Sequence, residues 1–88
     1  MARKKQPANV VGKEIQKRRY ALGLTQEQFA GKCQLHGLDF SRGTISQIEA
    51  QIRRVTDDEL FQLASILGVT ADSLQPDSAG HAKRKRQK

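Results

Sequence analysis

The sequence predicts an all-α fold, a compact bundle of about five short helices, and three features carry that expectation. Two capping boxes, Thr25 with Gln28 and Thr56 with Glu59, mark helix starts by pairing an N-cap hydroxyl with a polar side chain three residues on. Leu60, Leu63, Ala64 and Leu67 recur at i, i+3, i+4 and i+7, which is one apolar face of a helix. Gly23 and Gly68 fall where helical patterns stop. No segment reads as a strand.

Each element follows in order along the chain. Pro7 favours extended backbone just before it. Asn9 is the predicted N-cap of a first helix reaching Ala21 or Leu22, with Val11, Ile15 and Leu22 on its inward side and Arg18 and Arg19 between them. A second helix begins at Thr25 and turns Phe29, Ala30 and Cys33 to the core, with Cys33 acting as a small buried hydrophobe. Residues 34–40 form a connector in which Gly37 accommodates positive φ while Leu35, Leu38 and Phe40 tuck inward. Ser41 is the expected N-cap of a third helix whose Ile45 and Ile48 face the core. Residues 50–55 are a loop carrying Arg53 and Arg54. The fourth helix follows Thr56, and Asp57 and Asp58 in its first turn favour the positive end of the helix dipole. Thr70 is expected to cap a short fifth helix, with Leu74 reaching back and Pro76 ending the fold.

Composition narrows the function classes. A chain of 88 residues is one small domain with a single modest core. Hydrophobic residues make up 36%, and no apolar run approaches the roughly 20 residues of a spanning helix, so no membrane partner is expected. Basic residues open the chain without an apolar stretch behind them, and a cytoplasmic protein is expected. Cys33 stands alone, which excludes an intramolecular disulfide or a cysteine-based zinc site. His36 has no partner at metal spacing, so neither a metal nor a cofactor is expected. There is no paired-carboxylate pocket, no Ser/His/Asp or Cys/His set and no phosphate-cradling glycine loop. The acidic run Asp57, Asp58 and Glu59 is explained by its place at a helix start, and no enzyme is expected.

The net charge of +7 is unevenly placed. Residues 10–76 hold eight Lys/Arg and eight Asp/Glu, which cancel. Arg3, Lys4 and Lys5 precede them, and five bases with one acid follow in residues 77–88. The expected organisation is therefore a basic N-terminal arm over residues 1–9, a near-neutral domain over 10–76 and a basic tail over 77–88. Basic arms on a neutral body point to a polyanion, and the bland alternative is that they aid solubility.

The run LTQEQFAGKC, then QLHGLDF, then SRGTISQIE reads as two short helices joined by a turn. It resembles the helix-turn-helix of the XRE family, which includes the lambdoid phage repressors and Cro, and the resemblance covers roughly residues 10–75. The connector is longer than the usual turn of about 3–4 residues. The resemblance implies that the helix opening at Ser41 enters the DNA major groove, with Ser41, Arg42, Gly43 and Gln47 at base edges. Arg42 suits guanine O6 and N7, Gln47 suits adenine N6 and N7, and Gly43 lets the backbone come close. Gln26, Thr44, Arg53 and Arg54 are the implied phosphate contacts, and Lys13 and Lys17 are either flanking contacts or plain surface charges. Ala50-Gln51 stands where the family more often has Asn-Gly or Arg-Gly. Arg19 and Glu49 match a partly buried ion pair that clamps the first helix to the third.

The resemblance thus implies a sequence-specific regulator of transcription, a repressor, that binds double-stranded DNA as a homodimer on a pseudo-palindrome. Two rivals are an antitoxin or adaptor whose domain mainly binds a protein partner, and a nonspecific nucleic-acid binder driven by the basic arms.

Overall fold

A computed structural model of the chain describes residues 7–75. The expected basic arm of Arg3, Lys4 and Lys5, the tail over residues 77–88 and the stop at Pro76 lie outside them. The described residues form four α-helices, α1 (Gly12–Ala21), α2 (Gln26–Leu35), α3 (Arg42–Glu49) and α4 (Asp57–Leu67), followed by a single 3₁₀ turn, Asp72–Leu74. The fold is all-helical, with four helices rather than five. The segment expected as a fifth helix closes after one turn. Thr70 does accept a hydrogen bond there from Ser73 N at 3.2 Å, and Leu74 is fully buried.

Local chemistry sets each helix start. Thr25 Oγ1 accepts from Gln28 N and the Gln28 side chain accepts from Thr25 N, so both directions of the first capping box are made. Thr56 and Glu59 repeat the arrangement at α4. Ser41 Oγ accepts from Thr44 N at the head of α3. Asn9 caps α1 from two residues further out than a simple N-cap, because Val11 occupies the cap position. Its Oδ1 accepts from Val11 N and Gly12 N, while its Nδ2 donates to Ile48 O and Arg53 O. One buried amide thereby ties the start of α1 to the end of α3 and the loop beyond it.

The core gathers Val11 and Ile15 of the α1 segment, Phe29, Ala30 and Cys33 of α2, Leu38 and Phe40 of the connector, Ile45 and Ile48 of α3, Leu63, Ala64 and Leu67 of α4, and Leu74. Burial pushes the Cys33 thiol up to about 11, so it behaves as a hydrophobe. Two expected core positions lie outside. Leu22 is half exposed because α1 ends at Ala21 and the chain is already turning. Leu35 is 86% exposed because α2 continues through it and carries it to the outer face, leaving Leu38 and Phe40 to cover the core.

The approach of α1 to α3 is unusually close. A Cβ built on Gly12 would stand 2.1 Å from Ile48 O. Only a residue without a side chain fits there.

Candidate nucleic-acid interface

Helix α3 is held by its inner face. Ile45 and Ile48 are in the core, and Glu49 at its last turn is buried beneath α1 and α2. Arg19 Nε donates to Glu49 Oε2 at 2.6 Å and Arg19 Nη2 donates to Oε1 at 3.0 Å, a two-pronged pair whose side chains are almost fully enclosed. Arg19 Nη1 also donates to Leu24 O at 2.7 Å, and its guanidinium lies over the Tyr20 ring, 4.6 Å from the centroid. The hydrogen bond that Arg19 donates to Glu49 holds the guanidinium even more firmly in its charged form than usual, outweighing the burial that opposes charge.

The Glu49 carboxylate also collects two amides. Gln26 Nε2 donates to Oε1 at 3.0 Å and Gln16 Nε2 donates to the same oxygen at 3.4 Å. Gln26 was expected at a phosphate, and its half-buried side chain is thus anchored at one end. Gln16 was not singled out from the sequence. Its convergence on Glu49 spans 33 positions, and nothing local to either residue signals it.

The opposite side of α3 is open. Ser41, Arg42, Gly43 and Gln47 are all exposed, and Thr44 is half-buried. The Ser41 hydroxyl serves as the helix cap and sits 3.1 Å from Thr44 Oγ1, so these two expected contacts share one small hydrogen-bonded unit. A Cβ at Gly43 would meet only Ser41 Oγ, at 3.7 Å, so the fold itself does not require a glycine there.

The loop after α3 is built differently from its sequence appearance. Gln51 takes φ 64°, the left-handed region in which a non-glycine residue is strained. Its Nε2 donates to Asn9 O and its carbonyl accepts from Ala8 N, so it fastens the segment before α1. Arg53 and Arg54 then diverge. Arg53 is half-buried, bridges Glu59 at 3.2 Å and lies 4.9 Å from the centroid of the Phe40 ring. Burial works against ionisation of Glu59, but the Arg53 and Thr56 hydrogen bonds outweigh it and hold this carboxyl below its ordinary range. Arg54 is exposed, as are Lys13 and Lys17 on α1, although Lys17 lies 3.9 Å from Glu14.

A cleft of about 490 Å³ opens between α1 and the start of α2, lined by Gln16, Arg19, Tyr20, Thr25, Gln26, Glu27 and Arg42. It brings Gln26 beside the first residue of α3. No group of three or more His, Cys, Asp or Glu side chains among the described residues is arranged to hold a metal ion. No helix among them is long and apolar enough to cross a membrane.

Comparison with known proteins agrees with this geometry. A helix-turn-helix family model matches residues 15–74. No curated protein and no solved structure matches the chain.

Proposed function

The chain belongs to the helix-turn-helix family, in its XRE-type form, a family of DNA-binding regulators, and from that membership we propose that it is a sequence-specific repressor of transcription. The observation that carries the proposal is the asymmetry of α3. Its inner face is fixed by Ile45, Ile48 and the Arg19–Glu49 pair, while its leading edge is exposed at Ser41, Arg42, Gly43 and Gln47. A rigid rod with free donors at its N-terminal end is what reading base edges in a major groove requires. Arg42 reads a guanine and Gln47 an adenine. Gln26, Thr44 and Arg54 bind flanking phosphates. Arg53 joins them only by leaving or sharing Glu59, so its part is the weaker one.

One domain covers one half-site, so the active form is a homodimer on a pseudo-palindrome with half-sites about 34 Å apart. Phe61, 65% exposed on α4, is the first candidate for the seam between the two copies. Repression follows from occupying the promoter.

The test is selection of bound duplexes from a random pool at two salt concentrations, followed by binding of R42A to the selected site. A symmetric consensus should emerge at both concentrations, with R42A relaxing one base position by about 1–3 kcal/mol. Enrichment of no sequence, or an R42A loss equal at every base position, would overturn the proposal.

A further inference from the structure

Resting on the DNA-binding reading above, we propose that Gln16 is a second phosphate contact, paired with Gln26, and that the buried Glu49 carboxylate sets both amides for one backbone phosphate of the duplex. A carboxylate only accepts hydrogen bonds, so Glu49 forces the nitrogen end of each carboxamide toward itself. Each amide nitrogen carries two N–H groups and uses one on Oε1, at 3.4 Å from Gln16 and 3.0 Å from Gln26. Among the described residues neither nitrogen has a second partner, and both side chains line the cleft that also holds Arg42.

The second N–H groups are therefore donors without a protein acceptor, at a cleft beside the helix proposed to enter the major groove. The surroundings select an anion. Thr25 supplies acceptors to Gln28 N and Phe29 N, which leaves Gln26 N and Glu27 N, in two residues that line the same cleft, without an acceptor among the described residues. Arg42 stands on the rim, and the positive charge of Arg19 at the floor is balanced by Glu49. Glu27 is the one carboxylate lining the cleft, and it is exposed. Oxygen Oε1 already accepts from Arg19 Nη2 as well as from both amides, so the long Gln16 bond is the weakest of the three and the easiest to reorient onto a ligand.

The experiment measures binding of the full chain to its selected duplex by fluorescence anisotropy. The proteins compared are native, Q16A, Q26A and the double variant. Each is tested on the ordinary duplex, on single-base variants of it, and on a set of duplexes carrying one neutral methylphosphonate at successive backbone positions. Q16A should weaken binding roughly tenfold, as expected for a hydrogen bond to a charged group. The loss should be equal on the selected duplex and its single-base variants. It should disappear on one methylphosphonate duplex, the same one that abolishes the effect of Q26A. Native affinity in Q16A, or a loss that persists on every methylphosphonate duplex, would overturn the clamp.

These failures are distinguishable from failure of the functional reading. A chain that binds its selected site, and loses one base preference in R42A, keeps that reading even when Q16A is neutral. A native chain with no sequence preference removes both. Thermal unfolding of Q16A serves as the folding control, because the variant gives up a single long hydrogen bond at a half-buried position.

Discussion

Replacing Gly12 by alanine sets two opposite expectations against each other. Helix propensity alone favours G12A by about 0.5–1 kcal/mol. Packing opposes it, because the new Cβ would stand 2.1 Å from Ile48 O, against an ordinary carbon–oxygen approach of about 3.3 Å. The obstacle is backbone and cannot rotate away, so α1 must retreat from α3 by roughly 1 Å. Overpacking of this kind costs about 1–3 kcal/mol, and often the upper end where the neighbour is rigid. The retreat also strains the bond from Asn9 Nδ2 to Ile48 O, worth about 1 kcal/mol. The balance is a loss of about 2–3 kcal/mol, or a fall in Tm of about 10–20 °C for a domain of this size. Urea unfolding followed by far-UV circular dichroism measures it directly. A G12A variant as stable as the native chain, or more stable, would refute the close crossing of α1 over α3 and with it the packing that orients the third helix.

Four further outcomes follow from the same geometry. E49Q leaves the enclosed Arg19 without a counter-charge and should lose about 3 kcal/mol of stability; an unchanged Tm would show that the clamp does not exist. At Gln51, both Gly and Ala remove the bond to Asn9 O, but only Gly relieves the left-handed backbone, so Q51G should exceed Q51A by about 1 kcal/mol, and equal stabilities would place Gln51 outside that region. E59Q can keep the capping box through its one remaining oxygen, but it removes the charge facing Arg53 and the oxygen that accepts from Arg53 Nη2. The Glu59 carboxyl is held below its unfolded value of about 4.3, so its stabilisation is complete above that value and is lost as pH falls through the folded one. The Tm difference between native and E59Q should be level from neutral pH down to about 5 and shrink below about 4, and a difference independent of pH would contradict the Arg53 bridge. G43A should raise stability by about 0.5–1 kcal/mol yet weaken DNA binding; unchanged binding would show that no close backbone approach is made there.

The local part of this fold was legible in the sequence. Thr25, Thr56 and Ser41 declare helix starts because a cap uses atoms within three residues of one another. The 3.6-residue spacing of Leu60, Leu63, Ala64 and Leu67 assigns the inner face of α4 for the same reason. Misjudged positions depend on where an element ends. Leu22 was expected on the inward face of the first helix and Leu35 in a connector tucked onto the core, but Leu22 lies just past the end of α1 and Leu35 is the last residue of α2, on its outer side. One long-range contact, the Arg19–Glu49 pair, was legible through the family resemblance, and the structure makes it; the others were not legible. Asn9 reads as a cap, and nothing nearby announces that its amide also holds Ile48 O and Arg53 O. Arg53 was expected at a phosphate, yet α4 returns Glu59 to meet it. At the candidate site, Arg42 and Gln47 stand out by residue type at the head of a helix, whereas Gln16 matters only once α1 lies against Glu49.

Two glycines and one carboxylate show how the domain separates holding a helix from using it. Gly12 is demanded by the interior, since any side chain there collides with the end of α3. Gly43 is not demanded by the interior, since a Cβ there has room. Gly43 lies at the exposed edge of the helix proposed to read DNA, so G43A tests the proposed close approach of a duplex without disturbing the packing of the core. Glu49 joins the two demands. It fixes α3 through Arg19 and, by one of the same oxygens, Oε1, holds the amides of Gln16 and Gln26 at the cleft beside Arg42. Under the proposed clamp, stability and phosphate recognition are coupled at Glu49 and separable at Gln16, so substitutions at Gln16 test recognition apart from the fold.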